Sequence, residues 1–379
     1  SYIVSNSITT SKFAYRLQDW IIRNYKVKAI DYFENIKVFD AGVVPVILSV
    51  TSNQKQTFTT KIIRKGSFEN KLVKKIKTTA VEVEFARATI FKKSFNSAFY
   101  PEIKTIRLGD ICYLSYGLRP NSDERFWKGE FSKDDVISEE KFGDYIKEYV
   151  EGKDIKEYKI EKVKYLEWNT DRIPKKLVRP TFPALYKFEK ILRGRVTKGV
   201  FDDTGIVCND SIIVMKRFTD LKGVNERSIT SSISKNNLSE KEKELKGSTK
   251  KSLLRRRRKE LEKQSENYLL KYILSIINSK YAMAYLNNFR RHRLENYFYP
   301  DDFRSYPIPD SALSKQFLFN SIVDYIIFTK IKNSNEISTF FELVIDAMVY
   351  ELYFPELLKK HSREIIKHLG ELPEFTEGM

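Results

Sequence analysis

The order of the first hydrophobic segments constrains the fold of this chain more than any other feature. Residues 2–4 form a short apolar run, residues 11–23 carry apolar side chains at helical spacing, and residues 29–33 and 43–50 are apolar again. A helix between apolar strands is typical of an α/β sheet. No glycine-rich phosphate or cofactor loop precedes the first strand. We therefore expect the second half of an α/β domain, with the half that would bind a nucleotide-type cofactor outside these residues.

Positive charge is unevenly distributed along the chain. The 379 residues carry a net charge of +18, and the isoelectric point is about 9.5. Residues 311–379 contain 7 Lys and Arg against 10 Asp and Glu, so residues 1–310 carry a net charge of +21. A concentrated surplus of this size favours a polyanionic partner, most often nucleic acid, over the alternative of a merely basic soluble protein.

Several functional classes are disfavoured by the cysteines, histidines and apolar runs. Cys112 and Cys208 are the only cysteines and form no Cys-x-x-Cys pair, so we predict no structural zinc. Two isolated cysteines suit a reducing cytoplasm. No apolar run reaches the roughly 18–20 residues that a membrane span requires. No Gly-x-Ser-x-Gly motif occurs, and the three histidines lie far in sequence from both cysteines, which disfavours a serine or cysteine hydrolase.

Three regions are predicted along the chain. Residues 1–100 form the α/β fragment. Residues 101–310 contain short strand-like segments and frequent turns, which predict a mixed α+β domain with mostly antiparallel strands. Within it, we expect a strand at residues 108–113 and a hairpin turn at residues 202–205. Residues 311–379 have apolar residues at helical spacing and predict a helical region.

A basic helical insertion is predicted at residues 222–266, followed by one long helix over residues 268–289. Residues 235–263 contain 12 Lys and Arg against 5 Asp and Glu, including four consecutive arginines at 255–258. A helix of this composition is either a solvated arm or an arm that contacts the DNA backbone. The sequence leaves both alternatives open.

Four stretches of sequence together resemble a known family. They are Tyr-Ile-Val-Ser-Asn-Ser at 2–7 with Phe-Ala-Tyr-Arg-Leu at 13–17, Val-Phe at 38–39 with Val-Val-Pro-Val-Ile-Leu at 43–48, Ile-Asn-Ser-Lys at 277–280 with Tyr-Pro-Ile-Pro at 306–309, and Asp-Ala-Met-Val-Tyr-Glu-Leu-Tyr at 346–353. In this order they resemble the carboxy-terminal half of adenine-specific DNA methyltransferases of restriction-modification systems, in particular type IIG-like enzymes with a TaqI-like specificity domain. The first two are similar to the strand and helix after the catalytic loop and to the strand pair that closes the catalytic sheet. The last two are similar to a helix of the specificity domain and to a terminal helix.

The resemblance implies the second half of a Rossmann-like methyltransferase sheet in residues 1–100, a DNA target-recognition domain in residues 101–310 and C-terminal helices in residues 311–379. It also implies a prokaryotic cytoplasmic protein that binds double-stranded DNA, and S-adenosylmethionine as the cofactor of the full-length enzyme. Such enzymes flip the target adenine out of the duplex. The family holds this base with an Asn/Asp-Pro-Pro-Tyr/Phe loop and with an aromatic residue from the later strand pair, and Phe39 falls at that second position.

Two motifs of the family do not occur in this sequence: the Asn/Asp-Pro-Pro-Tyr/Phe loop and the glycine-rich loop for S-adenosylmethionine. We therefore expect no catalytic residue in this chain and no methylation by the chain alone, the N-terminal methyltransferase half being supplied by the same or a separate chain. One alternative is a non-catalytic DNA-binding specificity subunit that docks through its acidic helical tail on a separate methyltransferase or nuclease. Another is an RNA-binding protein with a basic arm.

DNA contacts are expected from polar and basic residues in turns, at the end of a helix and in the basic insertion, where arginines and lysines hold phosphates and a few arginines read guanine edges. The candidates are Arg119, Asn121, Arg172, Lys175, Lys176, Arg179, Arg193, Arg195, Lys198, Arg255, Arg256, Arg257, Arg258, Arg290, Arg291 and Arg293.

Overall fold

The computed structural model describes residues 1–34, 36–39, 44–52, 58–77, 90–91, 101, 103–119, 132, 134–173, 182–289 and 297–370. The chain divides into two compact units. One comprises residues 1–100 and 287–295, and the other comprises residues 101–286 and 296–379. Within the residues described, no helix is both long enough and apolar enough to cross a membrane.

The first unit is built on a five-stranded mixed sheet. Its strand order is β1-β3-β2-β4-β5, in which only β2 and β4 are parallel neighbours. The elements are β1 (Tyr2–Ser5), α1 (Ser7–Thr10), a 3-10 helix (Lys12–Ala14), α2 (Tyr15–Asn24), β2 (Tyr25–Glu34), β3 (Pro45–Ser52), β4 (Phe58–Lys65) and β5 (Lys71–Lys77). The strand–helix–strand–strand order expected from the sequence is confirmed, whereas its identity as half of a Rossmann-like sheet stays a prediction.

The helix expected from the spacing of residues 11–23 is confirmed as α2, but much of its apolar surface faces solvent. The buried face is formed by Ala14, Gln18 and Ile21, and the Gln18 amide donates to the carbonyl of Ile8. Phe13 is 80% exposed and Trp20 is 52% exposed. The spacing located the helix but did not determine its buried face, on which a hydrogen-bonded glutamine lies.

The first strand of the strand pair in this sheet lies earlier in the sequence than the resemblance indicated, whereas the second overlaps the expected residues 43–48. Strand β2 ends at Glu34 and pairs antiparallel with β3, with Tyr32 opposite Val46. Val38 and Phe39 are therefore not in a strand; both lie in the connection between β2 and β3. The continuous apolar run at residues 43–50 is typical of a strand that is buried on both faces, but the residues of β3 alternate between buried and partly exposed positions from Val46 to Ser49.

The second unit contains most of the helices. Its elements are β6 (Thr105–Arg107), α3 (Leu108–Ile111), β7 (Cys112–Tyr116), β8 (Ile137–Ser138), β9 (Tyr145–Val150), a 3-10 helix (Gly152–Asp154), β10 (Ile155–Lys156), β11 (Lys159–Ile160), β12 (Lys164–Glu167), a 3-10 helix (Pro183–Leu185), β13 (Lys190–Gly194), β14 (Gly199–Asp202), β15 (Val207–Cys208), β16 (Ile212–Arg217), a 3-10 helix (Thr219–Leu221), α4 (Arg227–Asn236), α5 (Glu240–Lys243), α6 (Gly247–Ser265), α7 (Leu270–Asn278), α8 (Lys280–Phe289), α9 (Pro300–Arg304), β17 (Pro307–Pro309), α10 (Leu313–Ile331), α11 (Asn335–Tyr353), α12 (Pro355–Lys360) and a 3-10 helix (Ile366–His368).

Two four-stranded sheets, β14-β13-β16-β7 and β15-β9-β12-β8, form the centre of this unit, and a shared core of buried side chains lies between them. The pairs are antiparallel except β9 with β15, which confirms the expectation of a mixed α+β domain with mostly antiparallel strands. Two local predictions were wrong. Leu108–Ile111 is helical, and the turn after Asp202 joins strands of different sheets instead of closing a hairpin.

The helix expected over residues 268–289 is divided in two at Ser279. Asn278 turns its amide onto the backbone of Gly199, donating to the carbonyl at 2.9 Å and accepting from the N–H at 2.7 Å. Ser279 is extended, and its hydroxyl accepts from the N–H of Ala282 in the first turn of α8. Lys280 contacts Asp346 of α11 through both its backbone N–H and its side chain. The Asn-Ser-Lys motif therefore joins two helices, an edge strand and the C-terminal helical region.

Candidate nucleic-acid interface

Helix α6 carries the basic segment and lies against the core of the second unit. Leu253 and Leu261 are buried, and Leu254 packs against the same core as the sheets. The hydroxyl of Ser265 accepts from the N–H of Thr219 at 2.8 Å. The basic insertion is thus a packed helix with one solvent-facing side, which differs from a detached arm.

Helical geometry divides the four consecutive arginines between two sides of α6, because neighbouring residues are about 100° apart around the axis. Arg258 faces inward, where it pairs with Glu262 and donates to the carbonyls of Leu221 and Val224 at 2.8 and 2.7 Å. Arg257 pairs with Glu242 and Glu260. These two arginines hold α6 in place, and their guanidinium groups are engaged by the protein.

The outer side of α6 presents a row of cations at four-residue spacing. Lys251, Arg255, Lys259 and Lys263 are exposed, and none forms an ion pair within the described part of the chain. We call these four residues the cationic row. Each step advances about 6 Å along the helix, so the row is about 18 Å long. Arg256, beside the row, is exposed and lies 3.7 Å from Glu260. A line of free cations of this length is suited to a chain of phosphates.

A second group of candidates lies at the opposite end of the strand pair β7–β16. Helix α6 packs on α3, which precedes Cys112, whereas the second group surrounds Tyr116, where β7 ends. The five residues of β7 separate the two ends by about 14 Å. At the second end, a Cβ atom on Gly117 would lie 2.2 Å from the carbonyl oxygen of Asn209, so only glycine permits this close approach of backbones. In this arrangement the Nε atom of Arg119 lies 3.5 Å from the Oδ2 atom of Asp210.

Arg195 is surrounded by three tyrosine rings at this end of the sheet. Its guanidinium carbon lies 4.7 Å from the ring centroid of Tyr297, 4.8 Å from that of Tyr299 and 5.7 Å from that of Tyr116. We call these four residues the arginine–tyrosine cluster. Sequence reasoning named Arg195 but missed its partners. Tyr297 and Tyr299 flank the buried Phe298, and this alternation of polar aromatic and buried residues was the available signal.

Three other predicted DNA contacts are occupied by protein groups or buried. Arg193 is fully buried, so it does not reach a phosphate, which corrects its assignment as a DNA contact. Lys198 pairs with Glu157, and Arg172 pairs with the buried carboxylate of Glu167. The remaining candidates lie outside the described residues: Asn121, Lys175, Lys176, Arg179, Arg290, Arg291 and Arg293.

The described residues place no group of three or more His, Cys, Asp or Glu side chains where they could hold a metal ion. Burial raises the pKa of the Cys112 and Cys208 thiols, which keeps both thiols protonated at neutral pH.

No protein-family model matches the sequence, and no curated protein matches it either. Among solved structures, the fold is similar to that of the type IIL restriction-modification enzyme MmeI in complex with DNA, with 10% identity and a TM-score of 0.46 over 93% of this chain. It is also similar to the type IIG restriction endonuclease BpuSI, with 11% identity and a TM-score of 0.29 over 93% of this chain. The chain spans 46% and 47% of the lengths of these two proteins. Neither similarity assigns the chain to a family.

Proposed function

We propose that this chain binds double-stranded DNA and selects the target sequence for an adenine-specific DNA methyltransferase of a restriction-modification system. The cationic row on α6 carries the proposal. In the proposed complex, the row neutralises backbone phosphates, and the residues at the far end of β7 and β16 read base edges. S-adenosylmethionine and the catalytic loop belong to the N-terminal methyltransferase half.

The exposed apolar surface of the first unit supports the proposal that a methyltransferase half packs on it. Strand β1 is an edge of the sheet, and its Tyr2 and Ile3 are 64% and 61% exposed. Phe13, Leu17 and Trp20 form an exposed apolar face at positions i, i+4 and i+7 of the neighbouring helical segment. An open edge strand beside an exposed apolar helix face is an incomplete sheet layer, which a partner half would extend and cover.

A salt titration of binding to random-sequence duplex DNA tests the proposal. The logarithm of the binding constant falls with the logarithm of the salt concentration, with a slope of about 0.9 per phosphate neutralised. Replacing Lys251, Arg255, Lys259 and Lys263 together by glutamine removes four exposed cations. We expect this variant to bind more weakly at low salt, with a slope that is lower by about 2–4.

The matched control changes four exposed cations of the C-terminal helical region, Lys315, Lys359, Lys360 and Arg363, to glutamine. This variant has the same net charge as the first. If both variants lose affinity equally, the effect comes from net charge and the cationic row is not the binding surface. Absence of duplex binding by the unmodified chain at low salt would contradict the proposal, as would a preference for single-stranded RNA over duplex DNA in competition.

One observation favours the second candidate, a specificity subunit that docks on a separate methyltransferase or nuclease. Helix α11 exposes Ile337, Phe340 and Leu343, which are 52%, 59% and 52% exposed and lie on one side of the helix. An exposed apolar row within an acidic region is suited to a protein partner. The upstream reading frame separates the two candidates, because an in-frame Asn-Pro-Pro-Tyr would rule out the separate subunit.

A further inference from the structure

Arg195 differs from the other candidate contacts because its position is fixed before any ligand binds. Its backbone N–H donates to the carbonyl of Ser211 at 3.1 Å, and its carbonyl accepts from the N–H of Phe298 at 2.8 Å. Phe298 is buried and packs edge-on against Phe303, so the segment that supplies two of the tyrosines is anchored in the core. Both the backbone of Arg195 and the rings around its side chain are therefore held by the fold.

The guanidinium group of Arg195 donates no hydrogen bond to the part of the chain that the structure describes. Its Nε is buried. Aromatic faces attract the positive charge but accept no strong hydrogen bond, so the cluster orients the group and leaves its terminal N–H donors available. An arginine that serves only to hold a loop together would instead donate to carbonyls, as Arg258 does.

We propose that Arg195 is a specificity-determining residue that reads a guanine in the major groove by donating to its O6 and N7 atoms. This inference rests on the proposed binding of duplex DNA. The two acceptors of guanine match the planar fork of an arginine, and a bidentate contact needs a fixed orientation of that fork. The cluster supplies the orientation, and because the side chain is already ordered, less conformational entropy is lost on binding.

The test is selection from a pool of duplexes with randomised central base pairs, carried out with the whole chain and with Arg195→Lys. Lysine keeps the charge but lacks the fork. We expect the unmodified chain to enrich a motif that contains a guanine at one position, and the variant to lose about 5- to 100-fold of the preference there. Tyr297→Leu removes one exposed ring and keeps the arginine, and we expect a partial loss at the same position. The control Arg363→Lys, on an exposed arginine of the acidic region, keeps the motif.

Thermal unfolding of each variant confirms that it is folded before selection. An unchanged motif for Arg195→Lys overturns the inference. Arg195→Met provides a second test. If it lowers the slope of the logarithm of the binding constant against the logarithm of the salt concentration by about 1 and leaves the motif unchanged, Arg195 contacts a phosphate, and the inference is again overturned. If the unmodified chain binds no duplex or enriches no motif, the proposed function fails together with the inference. If the Arg195→Lys variant binds duplex DNA with the salt dependence of the unmodified chain and loses only the guanine preference, the proposed function and the inference are both supported.

Discussion

At the scale of single residues, Arg193 and Arg195 show how two neighbouring arginines take opposite roles. Arg193 is fully buried on the central strand β13, with Nε and Nη1 lacking a hydrogen-bond partner among the described residues. Its contacts are the sulfur of Met283 and the ring of Phe303. Burial lowers the pKa of Arg193 to about 9, which leaves the group charged at neutral pH. A buried guanidinium group with two nitrogen donors that lack acceptors destabilises the fold.

We expect Arg193→Met to stabilise the protein by about 1–3 kcal/mol at neutral pH, because methionine fills similar space without burying unpaired donors. Urea unfolding measures the difference. The unfolded state binds more protons than the native state above pH 9, so the stability of the unmodified chain rises there and the gap to the variant narrows. A variant that is less stable at neutral pH would show that Arg193 has a compensating partner.

At the scale of elements, periodicity located helices and strands but did not determine which face is buried or where a helix breaks. The sequence predicted α2, α10 and α11, since their apolar residues recur at helical spacing. It did not predict the break at Ser279, because residues 268–289 are all compatible with a helix and the hydrogen bonds between Asn278 and the distant Gly199 depend on the tertiary fold. The run of arginines likewise indicated positive charge but not which arginines face solvent. The packing of Leu253 and Leu261 against the protein defines the outer side of α6.

The break between α7 and α8 predicts a structural role for the adjacent Asn278, whose side chain is 1% exposed. Asn278→Leu leaves the backbone N–H of Gly199 on the edge strand β14 without its partner. It also removes one of two hydrogen bonds to the Gly199 carbonyl, which still accepts from the N–H of Tyr158. We expect a loss of about 2–4 kcal/mol in the free energy of unfolding, measured in urea. Asn267→Leu, on an exposed residue, is the control and should change stability by less than about 0.5 kcal/mol. A loss for Asn278→Leu no larger than that of the control would contradict the role.

At the scale of the whole molecule, positive charge is concentrated in residues 1–310, whereas exposed apolar surfaces occur in both units. Residues 1–310 carry the positive surplus, and the net negative charge of residues 311–379 accompanies the exposed apolar row of α11. The first unit has a second apolar surface, on β1 and the helical segment beside it. Composition alone indicated the polyanionic partner. It could not indicate the apolar surfaces, because exposure depends on which residues the rest of the fold leaves uncovered.

The proposed role of Phe39 in covering the flipped base is tested in an enzyme completed with its methyltransferase half. Phe39 is 45% exposed between β2 and β3, so it is not a core residue and its ring is accessible to a base. Stacking of a base on an aromatic ring contributes about 1–3 kcal/mol. In an enzyme completed with its methyltransferase half, we expect Phe39→Ala to lower methylation about 5- to 100-fold and Phe39→Tyr to retain most of it. Phe317→Ala removes a comparably exposed ring from α10 and serves as the control. If methylation rate and DNA affinity are the same for Phe39→Ala as for the unmodified enzyme, Phe39 does not contact the target base and its proposed role is wrong.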